Sequence, residues 1–396
     1  MLIWFFSCTP SEKDSGGSVS IWSETELQHI LYMSKPLSEI KDPTNRVMGL
    51  PEAEIFGEQL FFAKELSING EISCASCHDP QMGFSDGLPQ SIGIDTTTNS
   101  SPSLYAVGHQ RWLNWVGSCD TAWCQAIGPL EKDGEMGSSR VGLVHTLNTQ
   151  ATLKNNYESL FGDLPESEHW PAHAKPEMPE WELLSPEDQH KATEVIVNIA
   201  KAIAAYEATI LPPQAPIDLF FEHVRADPET ATDFLSEQEE QGLRLFIGEG
   251  QCSLCHSGPL FTNLEFHNIG LPVPEWMDDT DMGRYDGIDL LKDNPFNAAQ
   301  MWSDDPNGEK AQRIDRLNQK TEQLGQFKTP HLRELLKTAP YMHGGHFTSL
   351  VEVVDHYANP TNTPTFGHTE EIIQQQSWSD EEKNSLVSFL ELLSSD

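Results

Sequence analysis

Basic residues are scarce in this chain: 24 lysines and arginines stand against 61 aspartates and glutamates in 396 residues, a formal net charge of −37. Binding to a phosphate backbone needs clustered positive charge, so nucleic-acid recognition is excluded as a main role. Such an excess speaks to solubility and encounter rather than to fold. It either steers a basic protein partner or adapts the surface to salt, and the sequence leaves both readings open. Long apolar runs are missing as well, so no segment is long enough to span a bilayer. Runs of alternating apolar and polar residues, the mark of half-buried strands, are absent too. Cysteine is used only seven times.

What remains is a helical chain with ample core material. The hydrophobic fraction is 38%, with 18 Phe and 10 Trp, and the length allows two or three domains. Ser23-Glu24-Thr25-Glu26 is a capping box that opens a short helix to about Met33. Residues 51–64 carry Ile55, Phe56, Leu60 and Phe61 on one face. Residues 186–209 form the longest expected helix, with Val195, Ile196, Ile199, Ala202, Ile203 and Tyr206 at helical spacing, a stripe that reads as core. Pro212-Pro213 ends it and marks a domain boundary. Further helices are expected at 236–247, capped by Ser236 with Glu239, and at 349–357 and 379–393. Residues 271–326 are rich in Asp, Asn, Pro and Gly, including Asp278, Asp279, Asp281, Asp304 and Asp305, and read as a solvated loop, with a lid or partner surface as the other reading. The class is all-α with long loops.

Four of the seven cysteines lie in two pentapeptides, Cys74-Ala75-Ser76-Cys77-His78 and Cys252-Ser253-Leu254-Cys255-His256. Each C-x-x-C-H reads as an attachment site for c-type haem: two thiols tether the porphyrin and the adjacent His ligates the iron. A zinc knuckle would need four ligands per site, or two Cys pairs that meet; here each pair has its own His in the same register. In both halves a helix, a glycine-containing turn and the pentapeptide follow in that order. This weak repeat suggests two cytochrome-c-like modules, with boundaries at 23–212 and 213–396.

Cys119 and Cys124 sit five apart and form either a disulfide, which like c-type haem suits an oxidising compartment, or two buried thiols. Cys8 follows Leu2-Ile3-Trp4-Phe5-Phe6-Ser7 and precedes a Ser-, Gly- and charge-rich stretch. It reads as the lipidated residue of a bacterial lipoprotein signal, with residues 1–22 as signal remnant and tether. The expected location is the periplasm, with a lipid anchor at Cys8. Oligomeric state leaves no signature.

Several segments resemble the bacterial di-haem cytochrome c peroxidase superfamily, which includes the MauG-type enzymes. They are Ile72 to Pro80 around the first pentapeptide, Phe84-Ser85-Asp86-Gly87, and Trp115 to Met136 with Gly128-Pro129-Leu130-Glu131. In the second half they are Cys255-His256-Ser257-Gly258, Phe266 to Gly270, Phe327-Lys328-Thr329-Pro330-His331-Leu332-Arg333, Ala339 to Gly345, and Val353 to Tyr357. The resemblance covers roughly 50–395. It implies two covalently bound c-type haems, with His78 proximal at a peroxide-reducing site and His256 proximal at an electron-transfer site. It also implies Glu135 as the distal acid, Gln125 and Pro129 as its pocket neighbours, and Trp115 as the relay between the haems. A distal carboxyl can take a proton from hydrogen peroxide and return it to the leaving oxygen. Carbonyls of Thr338 and Pro340 match calcium ligands, the third being Ser100, with Asn99 beside it, where the family has Asn.

Two departures bear on subclass. Residues 79–98 contain no His to block the first site, and the next one, His109, reads as structural. At the position where peroxidases of this superfamily place a Met ligand to the second haem stands Tyr357, 17 residues after Pro340, as in MauG-type enzymes. His356 and Met342 are the alternative ligands. Near Trp115, Val116 and Ser118 stand where the family has Asp and Arg. The expected function is peroxide reduction at the first haem, with electrons relayed through the second from a small cytochrome or other protein donor. A MauG-like enzyme that oxidises a protein side chain and a non-catalytic electron carrier are the alternatives.

Overall fold

A computed structural model describes residues 22–227, 234–277, 281–360, 364–373 and 375–395. Cys8, Asp278 and Asp279 lie outside them. Among the described residues helices dominate, and the only sheet pairs two-residue strands, β1 (Phe266–His267) and β2 (Phe327–Lys328), antiparallel. No helix is long and apolar enough to cross a membrane.

Two hydrophobic cores organise the chain. In the first, α2 (Pro51–Phe62) and α7 (Pro186–Glu207) cross in contact, with α4 (Ala122–Glu131) and α5 (Arg140–Thr149) packed on α7 and α6 (Ala151–Phe161) on α2 and α5. The expected stripe of α7 is this core: Ile196, Ile199, Ala202 and Ile203 are fully buried, each isoleucine worth about 1.5–3 kcal/mol of transfer free energy. In the second core, α9 (Glu237–Ile247) crosses α13 (Asp380–Glu391), joined by α8 (Pro216–Ala226) and α12 (Leu350–Ala358).

The two crossings use one device. A Cβ on Gly57 of α2 would lie 2.0 Å from the Ala202 carbonyl oxygen, and one on Gly242 of α9 would lie 2.0 Å from the Ser385 oxygen. Only glycine lets these backbones touch. Each glycine opens the same string, Gly57-x-x-Leu60-Phe61 and Gly242-x-x-Leu245-Phe246, and both Phe residues are buried.

Two elements differ from expectation. Helix α1 (Glu24–Met33) forms with its capping box, Glu26 Oε2 accepting from the Ser23 amide at 2.7 Å. It packs with α8 and α9 in the second core, not with the first half that it was expected to open. Arg244 of α9 pairs with Glu26 and lies over Trp22. A short amphipathic helix does not choose its partner, and the seventeen-residue link 34–50 lets it reach the far half. The stretch 271–326, expected as a loop, contains α10 (Arg284–Asp293) and α11 (Glu309–Asp315). Leu291 and Ile314 bury with Trp112 and Phe266 in a third small cluster.

Candidate active site

The first pentapeptide is a single helical turn, α3 (Cys74–Cys77), entered from Ser73, whose amide donates to Ser76 Oγ at 3.0 Å. The turn carries both thiols and closes on His78, whose amide donates to the Cys74 carbonyl. His78 Nδ1 lies 3.0 Å from the Phe84 carbonyl oxygen. A carbonyl only accepts, so Nδ1 carries the proton and the lone pair is left on Nε2. Phe84 sits at φ 57°, a left-handed conformation that directs its carbonyl to the ring. Burial holds the His78 imidazole below its ordinary pKa.

The second pentapeptide repeats this geometry. The turn Cys252–Leu254 leads to His256, whose Nδ1 meets the Phe261 carbonyl at 2.9 Å, and Phe261 has φ 53°. Burial lowers His256 to about 4. Arg333 secures this loop. It donates to the Pro259 carbonyl at 3.0 Å, grips Asp218 of α8 with two bonds of 2.8 and 2.9 Å, and covers the Phe261 ring. Sequence motifs flagged Arg333 without this role.

One cavity of about 1210 Å³ joins the two pentapeptides. Its wall includes every expected site residue: Cys74, Cys77, His78, Ser100, Trp115, Gln125, Pro129, Glu135, Cys252, Cys255, His256, Thr338, Pro340 and Tyr357. His109 is not part of that wall. Burial lowers its pKa.

In the same wall, the Trp115 indole donates to the Ser100 carbonyl at 3.0 Å, and its own carbonyl accepts from the Lys328 amide at 2.9 Å. The His343 ring stacks on Phe327 (centroids 3.6 Å apart) and meets Trp115 edge-on. Burial drives His343 to about 3, so it stands neutral beside the indole. No charged residue flanks Trp115 in sequence, yet Arg284 of α10 brings a guanidinium to this loop. It donates to the Val116 and Gly117 carbonyls at 3.2 and 2.8 Å. Only tertiary folding supplies that charge.

On the first-pentapeptide side, Pro129 interrupts α4 and deprives the Gln125 carbonyl of its helical donor. Glu135 follows on a loop that the 91–95 segment closely approaches. A Cβ on Gly93 would lie 2.7 Å from both Cα and carbonyl oxygen of Glu135. The carboxylate pairs with Lys132 at 2.8 Å, a half-exposed bond worth about 0–1 kcal/mol, too weak to prevent its use elsewhere. Its charge reaches both Cys77 and His78.

At the second pentapeptide, burial and then the Cys252 and Cys255 thiols push the Tyr357 phenol far above its ordinary pKa. Of the alternatives, His356 is engaged elsewhere, Nε2 meeting the Ile269 carbonyl at 2.9 Å, and is not in the cavity wall. Met342 lines the wall. Cys119 and Cys124 are both free thiols in the structure, so the disulfide reading is not realised there. Asn294 Nδ2 donates to both sulfurs, and a hydrogen bond joins the two thiols.

A family model described as di-haem cytochrome c peroxidase matches residues 51–226. Cytochrome-c peroxidase IdrP2 of Denitromonas iodatirespirans is 30% identical over 367 residues, covering 89% of this chain and 86% of its own. The chain belongs to the di-haem cytochrome c peroxidase family. Methylamine utilization protein MauG of Paracoccus denitrificans is 30% identical over 338 residues, covering 77% and 74% of the two chains. In fold, the chain matches the diheme peroxidase BthA from Burkholderia thailandensis E264, with TM-score 0.64 at 21% identity over 91% of this chain and 90% of that one. The chain is therefore a peroxidase-class oxidoreductase.

The family implies two c-type haems, and the residues fit them. Among the described residues no group of three His, Cys, Asp or Glu is gathered as for zinc. Burial raises the pentapeptide thiols to about 12 (Cys74, Cys252) and 11 (Cys77, Cys255). Each Nδ1 is engaged by a carbonyl, while His78 Nε2 also meets the Ser101 hydroxyl at 3.4 Å. Two further groups suit an acidic porphyrin. Lys328, pushed down to about 8 by burial, faces the cavity without an ion pair among the described residues. Glu207, at the end of α7, has a buried Oε2 with no hydrogen-bond partner. Neither was singled out from sequence, because each reads as an ordinary charged residue until the fold buries it.

Proposed function

We propose that the chain reduces hydrogen peroxide at the first haem, with electrons passed through the second from a cytochrome c-type donor. The observation that carries this reading is the single cavity, whose wall includes both attachment turns, Trp115 and Glu135. The haems would be held by Cys74, Cys77 and His78 in one cytochrome-c-like module and by Cys252, Cys255 and His256 in the other. Bound there, they supply the electron exchange that takes peroxide, two protons and two electrons to two waters. Glu135 takes the proton from the incoming peroxide oxygen and delivers it to the leaving one. Gln125 and Pro129 would shape the peroxide pocket as part of the same wall as His78, and Trp115 in that wall offers an oxidisable ring for relay. The segment 79–98 carries no His that could occupy the first site, so peroxide meets it without prior reduction. Adding peroxide to fully oxidised protein should change the haem absorption bands at once. A response only after one haem is reduced would reject the open site.

Tyr357 favours a second reading, a MauG-like enzyme that spends the oxidising equivalents on a protein side chain. It lines the cavity within electrostatic reach of Cys252 and Cys255, and a nearby ferric ion would reverse the burial effect and favour the phenolate. A hard anionic ligand lowers haem potential. Tyr357→Phe should alter the spectrum of the second haem and raise its potential; an unchanged spectrum removes the ligand assignment. We further propose a periplasmic location with a lipid anchor at Cys8, from the haem-attachment motifs and the residues preceding Cys8. A calcium held by the carbonyls of Thr338 and Pro340, with Ser100 as third ligand, is also proposed, since all three line the cavity.

A further inference from the structure

We propose that Cys119 and Cys124 are a redox-active dithiol that closes to a disulfide when the oxidising equivalents of peroxide find no external donor. The proposal rests on the peroxidase reading above. Both sulfurs are in the cavity wall, one residue before Gln125 in the case of Cys124. Both residues are buried, at 4% and 2% exposure. The Asn294 amide nitrogen reaches one sulfur at 3.5 Å and the other at 3.4 Å, which holds them side by side. Their backbones are fixed independently. Cys119 pairs with Leu113 in an isolated bridge, and the Cys124 amide donates to the Thr121 hydroxyl that caps α4. Both thiols thus lie against one amide, on backbones held independently of each other.

The route of oxidation follows from the burial. Peroxide attacks thiolates, not thiols, and burial followed by the hydrogen bond to Cys119 keeps Cys124 protonated. Direct attack is therefore slow, and the thiols are oxidised by electron loss into the haem site that peroxide has oxidised. The overall balance is two thiols and one hydrogen peroxide to one disulfide and two waters: two S–H bonds and the O–O bond break, and one S–S bond and two O–H bonds form. Asp120, buried between the two cysteines in sequence, has its charge within reach of Cys124 and is a carboxylate at hand for the first thiol proton.

Trypsin offers a direct readout, because cleavage after Arg111 and Lys132 releases residues 112–132, which contain both cysteines and no other. Holoprotein is treated with peroxide without a donor, quenched with catalase, unfolded in iodoacetamide and mapped by mass spectrometry, while the haem bands are followed. Before peroxide the peptide should carry two alkyl groups. Afterwards it should carry none and be lighter by two hydrogens than the free dithiol. A disulfide already present before peroxide overturns the proposal, since the bridge is then structural. A responding haem with a peptide still doubly alkylated overturns it and leaves the peroxidase reading intact, as does the same peptide heavier by oxygen on one of its tryptophans. Haem bands that never respond overturn both. In Cys119→Ser the haem bands should return to their resting form several-fold more slowly; an unchanged return overturns the proposal, and should that variant fail to fold, the wild-type peptide map still decides.

Discussion

The imidazoles of His78 and His256 show how little of a haem-binding residue's chemistry lies in its own side chain. Each is prepared by a phenylalanine carbonyl five or six residues on, turned toward Nδ1 by a backbone in the left-handed region. The tautomer, and with it the lone pair on Nε2, is set by a residue whose identity gives no hint of the task. Glu135 is the converse case: its identity suggests the task, but its half-exposed pairing with Lys132 is an ordinary surface ion pair. Glu135→Gln, which keeps shape and removes the base, should slow peroxide consumption by about 10²-fold or more, measured as peroxide loss with saturating donor; an unaltered rate removes its acid-base role. Glu207 makes a prediction about stability. Burial raises its carboxyl from 4.5 to about 8. The folded state therefore holds a proton that the unfolded state has lost, and stability falls as pH rises from about 4.5 to about 8. Thermal unfolding of Glu207→Gln against wild type should show the variant gaining relative stability across that window. A gap that does not change with pH would place the wild-type carboxyl near its ordinary value.

Helices α2 and α9 carry the strongest internal parallel in the chain. Each precedes a haem-attachment turn, and each touches a later helix backbone-to-backbone at a glycine. The repeat was legible in outline, as helix, turn and pentapeptide. Its sharper form, Gly-x-x-Leu-Phe in both halves, was also in the sequence and went unread, because glycine within a helix is normally a weakness and only the crossings show what it permits. Gly242→Ala should cost about 1–3 kcal/mol, because the added carbon meets the Ser385 carbonyl and the two helices must separate. The check is the urea midpoint of the holoprotein; an unchanged or higher midpoint would mean that the crossing relaxes freely. Helices α10 and α11 were not legible. Their stretch is rich in Asp, Asn and Gly, and the few apolar side chains that bury do so against Trp112 and Phe266 from elsewhere, so the local pattern is too sparse to announce a helix.

Taken whole, the molecule is an acidic body built on two helical cores with a single cavity between the attachment turns. A net charge of −37 gives a negative field, and the steering reading makes that field draw a basic partner at long range. With a small basic cytochrome as probe donor, the second-order rate of oxidation should fall steeply as ionic strength rises toward 1 M, where the screening length shrinks to about 3 Å. Stopped-flow measurement across that range checks it, and a flat response would favour the salt-adapted surface over steering.

By itself the sequence determined the helical class, the two pentapeptide turns and several of the residues that line the cavity. These are local or motif-borne properties: a helical spacing of apolar residues, a pentapeptide, a proline that must end a helix. Tertiary structure alone decided which groups act on which. It sent α1 to the second core, brought Arg284 to the Trp115 loop, buried Glu207 and Lys328 at the cavity, and set Cys119 and Cys124 against one asparagine from 170 or more residues away. The physical reason is the same in each case. Desolvation and charge depend on what surrounds a side chain in space, and that environment is assembled from segments whose separation in the chain carries no trace of their contact.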